Sequence, residues 1–278
     1  MPIKCDSIIV SIGRMLGGIE MNRQIGAQYF TIRKQITDMD SFDVACKKVA
    51  DIGYKIVQIS GVSLDAKEMR EVLDKYGLKC VVTHKKFADF KENIDEVIEY
   101  NKILGSEVCG LGMTPLECVE SVETVNEYIK DVNKFCEVLK KENLFYGCHN
   151  HTMEYAKFDG KTLMDRLLEE TDPDVFTCIA DTHWFQMSGK TPQDEIRRLG
   201  NRIKIIHYKD LGVNAQEWKT PVMKEVGQGN LDWDAIIAAC DEVGIEYAIV
   251  EQDKNHVDDD PFKALAMSYE FLKTKGFN

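Results

Sequence analysis

The sequence predicts an α/β protein whose parallel strands close into a single (β/α)8 barrel, and three observations lead there. Eight short runs rich in β-branched and aromatic residues alternate with segments of helical period, the pattern of βα units around a parallel sheet. Polar side chains able to hold a metal recur where successive strands stop, and that end of a barrel carries its chemistry. The competing open, doubly wound sheet usually places a glycine-rich phosphate turn after its first strand, whereas this chain has TIRKQITDMD there, without a glycine.

In order, residues 1–24 read as an N-terminal arm and residues 25–278 as the catalytic barrel. Within the arm, Ser7 to Ile12 could form a short strand or a plug for the barrel bottom or a neighbouring subunit, broken by Gly17 and Gly18. IGAQYFTIR is the first strand, and Asp40 or Ser41 is expected to cap the helix through FDVACKKVADIG, which Gly53 ends. KIVQIS and the helix DAKEMREVLDKYG follow, then LKCVVTH with the helix DFKENIDEVIEYNKILG, then EVCGLG as a weak fourth strand. Apolar residues at every third or fourth position from Ser121 to Asn143 predict a long helix. LFYGCH and DGKTLMDRLLEE are the fifth unit. VFTCIAD and RIKIIHYKD are strands six and seven, joined through KTPQDEIRRLGN, and in them Asp181 shares parity with Ile179, and His207 with Ile203 and Ile205. A long connection from Leu211 to Asn230 reads as a possible lid with Trp218 as a contact; then come a helix from Asp232 to Val243, the strand EYAIVEQD and a final helix from about Pro261.

Composition narrows the function. With 278 residues the chain slightly exceeds the roughly 250 typical of such a barrel. At 44% hydrophobic and 29% charged residues it is an ordinary globular composition. A net charge of −12 argues against a surface that neutralises phosphates, so no nucleic-acid partner is expected. The nine cysteines lack paired spacing and several lie in apolar runs, which reads as reduced thiols in a cytoplasmic protein. SIIVSI is too short for a signal peptide, and no run approaches the ~20 apolar residues of a membrane span.

The ligand candidates are His149 on strand five, Asp181 on six, His207 on seven and Glu251 on eight, one βα unit apart. Imidazole with carboxylate suits Zn, Mn, Co or Fe(II) better than the all-oxygen sites of Ca or Mg. Each residue alone has a plainer explanation: a lone strand-end histidine is usually a hydrogen-bonded core residue, and Asp181 could cap the next helix. Two carboxylates buried together without a cation would be strongly unfavourable, which gives the set its weight.

The motifs CHNHTMEY, IADTHW, IIHYKD, VGQGNLDW and IVEQD, with AQYFTIR and GYKIVQI ahead of them, resemble the sugar-phosphate isomerase/epimerase family of the xylose-isomerase-like TIM barrels from about Ile25 to the C-terminus. The resemblance implies a divalent metal (Mn, Co, Zn or Mg) on residues matching Asp181, His207 and Glu251, and a sugar, keto-sugar or cyclitol substrate. Many members carry a glutamate where strand five ends; here stand His149, Asn150 and His151, with Glu154 further on, so either His149 or Glu154 is the fourth ligand. His151 is then the candidate proton-transfer group, against the alternative of a residue that orients a ligand. Lys209 could neutralise an enolate, phosphate or carboxylate, with Asp210 capping the loop behind it. His84, His183 and Trp184 are candidate substrate contacts or, equally, packing residues, and Gln252 and Asp253 could support Glu251.

The expected activity is isomerisation or epimerisation through a metal-stabilised enediolate. The alternative is a lyase or dehydratase that eliminates β to the carbonyl, since the HxH on strand five resembles the inosose dehydratase branch. A non-catalytic subunit or ligand sensor, and an endonuclease IV-like phosphodiesterase, are weaker readings: the intact ligand set opposes the first, and six histidines with this charge oppose the second. A homo-oligomer, or a partner dehydrogenase or subunit, is left open.

Overall fold

Alternation of parallel strands and helices closes on itself. The structure, a computed structural model, describes residues 23–216 and 220–278, so most of the expected N-terminal arm, and Trp218, lie outside the described residues. The barrel strands are β1 Ile25–Gln28, β2 Ile56–Ile59, β3 Lys79–Lys85, β4 Val108–Leu111, β5 Phe145–His149, β6 Phe176–Asp181, β7 Ile203–Tyr208 and β8 Tyr247–Val250. Each pairs in parallel with its neighbours in sequence, and β1 pairs with β8 to complete the closed barrel. The chain folds as the expected (β/α)8 TIM barrel.

Helices cover the outside: α1 Met39–Ile52, α2 Ala66–Lys75, α3 Phe87–Glu92, α4 Ile94–Leu104, α5 Val122–Lys141, α6 Leu163–Glu170, α7 Thr182–Met187, α8 Pro192–Leu199, α9 Trp233–Val243 and α10 Pro261–Thr274. Their starts follow side-chain chemistry. Ser121 and Thr162 cap α5 and α6 by accepting from the third backbone N–H of each helix. The first helix corrects the expectation: Asp38, not Asp40 or Ser41, is its cap, and Ser41 answers by accepting from the Asp38 N–H to complete a capping box. The helix expected after β3 is two helices that meet at Asn93.

Inside the barrel, Ile56, Val81, Val82, Val108, Ile179, Ile205 and Ile249 form one buried apolar layer. Ile179 and Ile205 therefore face inward as their parity required. Ile203 does not: the β6–β7 register shifts between Cys178 and Ile179, and Ile203 joins the outer core between sheet and helices. Gly110 and Gly147 give this layer its room. A Cβ on Gly147 would lie 2.7 Å from Ile179 Cδ1 and 2.8 Å from Val108 Cγ1, and one on Gly110 would lie 2.5 Å from the Thr83 carbonyl.

The long connection after β7 is more ordered than expected. Asp210–Val213 pairs antiparallel with Pro221–Lys224, and the carboxylate of Asp210 then accepts from the N–H groups of Leu211, Gly227, Gly229 and Leu231 and from Trp233 Nε1. Gly229 has to be a glycine, since a Cβ there would fall 2.3 Å from Asp210 Oδ1. Of the nine cysteines, the eight described are free; all but Cys118 are buried, and burial pushes thiols such as Cys80 and Cys148 up to about 12.

Candidate metal centre

Four strands end in side chains that meet above the apolar layer. His149, Asp181, His207 and Glu251 each offer one atom to a group whose members all lie within 4.8 Å of one another, and all four residues are buried. The parity that turns Ile179, Ile205 and Ile249 inward turns Asp181, His207 and Glu251 the same way one pleat further on.

Hydrogen bonds around the group fix which atoms face its centre. Nδ1 of His149 lies 3.1 Å from the carbonyl of Gly112 and Nε2 3.2 Å from Asp181 Oδ2; donation to Gly112 leaves Nε2 free to face a cation. On His207, Nε2 donates to Gln58 Oε1 at 2.7 Å, leaving Nδ1 to face Glu251 Oε2 at 2.8 Å and Asp181 Oδ2 at 3.8 Å without hydrogen-bond geometry to either. Two imidazoles and two carboxylates thus converge, with the Lys209 ammonium beside them, 3.4 Å from Glu251 and 3.7 Å from Asp181. Acceptors gathered out of water repel one another unless a cation joins them, and this donor set fits a divalent metal of the Zn or Mn type.

Burial would push the His207 imidazolium down, but Glu251 and Asp181 outweigh it and hold its pKa at about 9. Burial would likewise raise Asp181 and Glu251, yet Lys209 and the two histidines keep both carboxyls well below the ordinary range. Lys209 is itself buried, with Nζ 2.8 Å from Asp253, 3.4 Å from Glu251 and 3.7 Å from Asp181; these carboxylates override its burial and hold it protonated.

The outer oxygen of Asp181 accepts from the N–H groups of His183 and Trp184 and so caps α7. Capping and facing the cluster are done by different oxygens of one carboxylate.

Other residues singled out in the sequence take distinct places. His151 lines the cleft above the cluster, its ring 4.6 Å from His149 and 5.0 Å from Trp184, with Nδ1 unpartnered; burial, then His149, lowers its pKa to about 3, so it is neutral. Glu154 stands outside the four donors and accepts from the His151 N–H at 2.7 Å, so the structure brings His149 rather than Glu154 to the group. His84 lines the cleft and bonds to Gln58 Nε2 at 2.7 Å and Ser60 at 3.2 Å. Neither His183 nor Trp184 is among the cleft-lining residues. The chain turns into α7 directly after Asp181, so strand parity no longer governs them: His183 meets the Asp210 carbonyl at 3.3 Å, and Trp184 lies under Lys209 at 5.3 Å. Asp253 pairs with Lys209, while Gln252 turns away toward Glu225.

Sequence reasoning missed Gln58, which sets the His207 tautomer, and Asn150, whose Oδ1 accepts from the Asp181 N–H at 2.9 Å. Gln58 left a signal: it is a polar residue at the inward-facing end of β2, two residues after Ile56.

The family described as xylose isomerase-like TIM barrel matches residues 46–275. The chain belongs to that family. Among curated relatives, an inosose dehydratase of Geobacillus thermodenitrificans is 24% identical over 185 residues, 61% of each chain. The chain thus spans about 61% of that relative's length. Among solved structures, a sugar phosphate isomerase/epimerase from Parabacteroides distasonis superposes with a TM-score of 0.72 at 19% identity, covering 92% of this chain and 94% of the other. The probable 3-DHS dehydratase AsbF of Bacillus anthracis gives 0.71 at 15% identity, covering 90% and 98%. At such identities the structures establish the shared fold. Within this family fold, the buried His/Asp/His/Glu cluster is a set of side chains that could hold a metal ion.

Proposed function

We propose that this protein is a divalent-metal-dependent lyase that takes a proton from the carbon beside the carbonyl of a keto-sugar or cyclitol and expels water from the next position. The observation that carries the reading is the convergence of four buried side chains able to ligate a metal, whose ligand atoms all lie within 4.8 Å of one another. A divalent ion held by His149, Asp181, His207 and Glu251 would supply Lewis-acid polarisation of the carbonyl. The chain's own residues supply the proton traffic. His151 lines the cleft next to the cluster, its ring placed to accept the proton. Lys209 is protonated and beside the cluster, so it can donate one to a departing hydroxyl. A neutral base and a charged acid at one site is the complementary pair that elimination uses, and similarity to inosose dehydratases supports the same direction.

Isomerisation or epimerisation, the first expectation from the motifs, is the second reading. It is favoured by His84, a further cleft imidazole held neutral by burial and by His149 and His207, which could return the proton to another carbon or face. Incubating Mn-loaded protein with a panel of inososes and keto-sugars in deuterated water separates the two. Elimination gives a product lighter by one water, and His151→Gln lowers kcat by about 10²–10⁴-fold. Deuterium uptake without that loss assigns isomerisation, and neither result across the panel overturns the reading.

A further inference from the structure

The two halves of the barrel mouth are built differently. All four donors, with His151, Lys209 and Asp253, come from β5 to β8 and the turns that follow them. The opposite wall of the same cleft comes from the turns after β1 to β4, where Phe30, Val62, Phe87, Met113, Pro115 and Leu116 line it. The cleft encloses about 1230 Å³, beyond the roughly 300–1,000 Å³ of sites that hold a drug-sized ligand, and far more room than one sugar ring fills. Of the five large hydrophobic side chains exposed among the described residues, two stand on this wall: Met113 is 50% exposed and Leu116 63%.

That exposure is held in place. The segment carrying Met113 and Leu116 begins at Gly112, whose carbonyl accepts from His149. Between them Thr114 is buried, with Oγ1 3.3 Å from Tyr128 Oη. Apolar side chains fixed outward beside a polar centre mark a surface that a ligand covers. Charge on this side balances: Lys85, Lys86 and Lys91 are matched by Asp89, Glu92 and Glu117. Lys85 lies over the Tyr100 ring and Lys91 is paired with Asp131, so these two are already engaged.

We infer that the substrate has two parts, a polyhydroxylated ring carbonyl at the donor cluster and a neutral, apolar, preferably planar substituent seated against Phe30, Phe87, Met113 and Leu116. The inference rests on the metal-dependent reading for the ring end only. Calorimetric binding of methyl, phenyl and 4-carboxyphenyl β-D-glucosides tests it, with and without Mn, for the wild-type chain and an M113S/L116S variant whose thermal unfolding is checked in parallel. Phenyl should bind about tenfold more tightly than methyl, as burial of one aromatic face against apolar side chains provides. The ratio should collapse toward one in the variant, and 4-carboxyphenyl should lose the advantage. A wild-type ratio near one, a ratio kept by the variant, a preference for the carboxylated compound, or no binding of any of the three overturns the inference. So does self-association of the wild-type chain in sedimentation that the variant abolishes, since the face is then an interface between copies. Failure of the metal-dependent reading shows separately, as a chain that takes up no metal while the phenyl preference persists.

Discussion

At the scale of single residues, the site depends on which nitrogen of each imidazole carries its proton. Gly112 and Gln58 decide this for His149 and His207, and Gln58 is the more testable because it is a side chain. Outer partners that orient a metal-binding histidine typically change affinity by ~10–100-fold when removed. Gln58→Leu should therefore weaken Mn binding by that factor in competition with a chromogenic chelator, and Gln58→Glu, which keeps an acceptor for His207 Nε2, should recover most of it. Equal affinity in the leucine variant would mean that His207 is oriented by packing alone. Lys209 adds the complementary point: a buried ammonium among three carboxylates stays charged because the carboxylates outweigh its desolvation.

At the scale of elements, two devices bring the ligands to one place. The first is the inner layer of β-branched side chains, which needs the bare backbones of β4 and β5. Gly147→Ala puts a methyl group 2.7 Å from Ile179 Cδ1, and overpacking of this kind costs about 1–3 kcal/mol, readable as a lower denaturation midpoint with an unchanged slope. The second is Asp210, which gathers four backbone N–H groups and an indole N–H around the end of the hairpin after β7. Asp210→Asn replaces charge-assisted hydrogen bonds with weaker ones and turns an amide donor toward other donors. It should destabilise the chain by roughly 2–3 kcal/mol and raise hydrogen exchange across residues 220–231. An unaltered exchange pattern there would show that the hairpin holds itself.

At the scale of the whole molecule, the fold was legible because eight short runs rich in β-branched and aromatic residues alternate with segments of helical period, and closure followed from the count. The convergence of His149, Asp181, His207 and Glu251 was legible for the same reason, since strand ends are a fixed address in a parallel barrel. What stayed hidden depends on distances the sequence does not carry. Gln58 and Asn150 act across strands, and His183 and Trp184 escape strand parity because α7 starts at once after Asp181. The choice between His149 and Glu154 turned on a loop whose path only the structure gives. The cap of α1 moved to Asp38 because that carboxylate and Ser41 satisfy each other. The central claim is that a cation joins four residues delivered by four different strands. Anomalous diffraction from crystals of the Mn-loaded chain tests it most directly. The account predicts a single strong peak touching His149, Asp181, His207 and Glu251 and absent from crystals of Asp181→Asn; a map with no peak among these residues, or with its peak elsewhere, would contradict it.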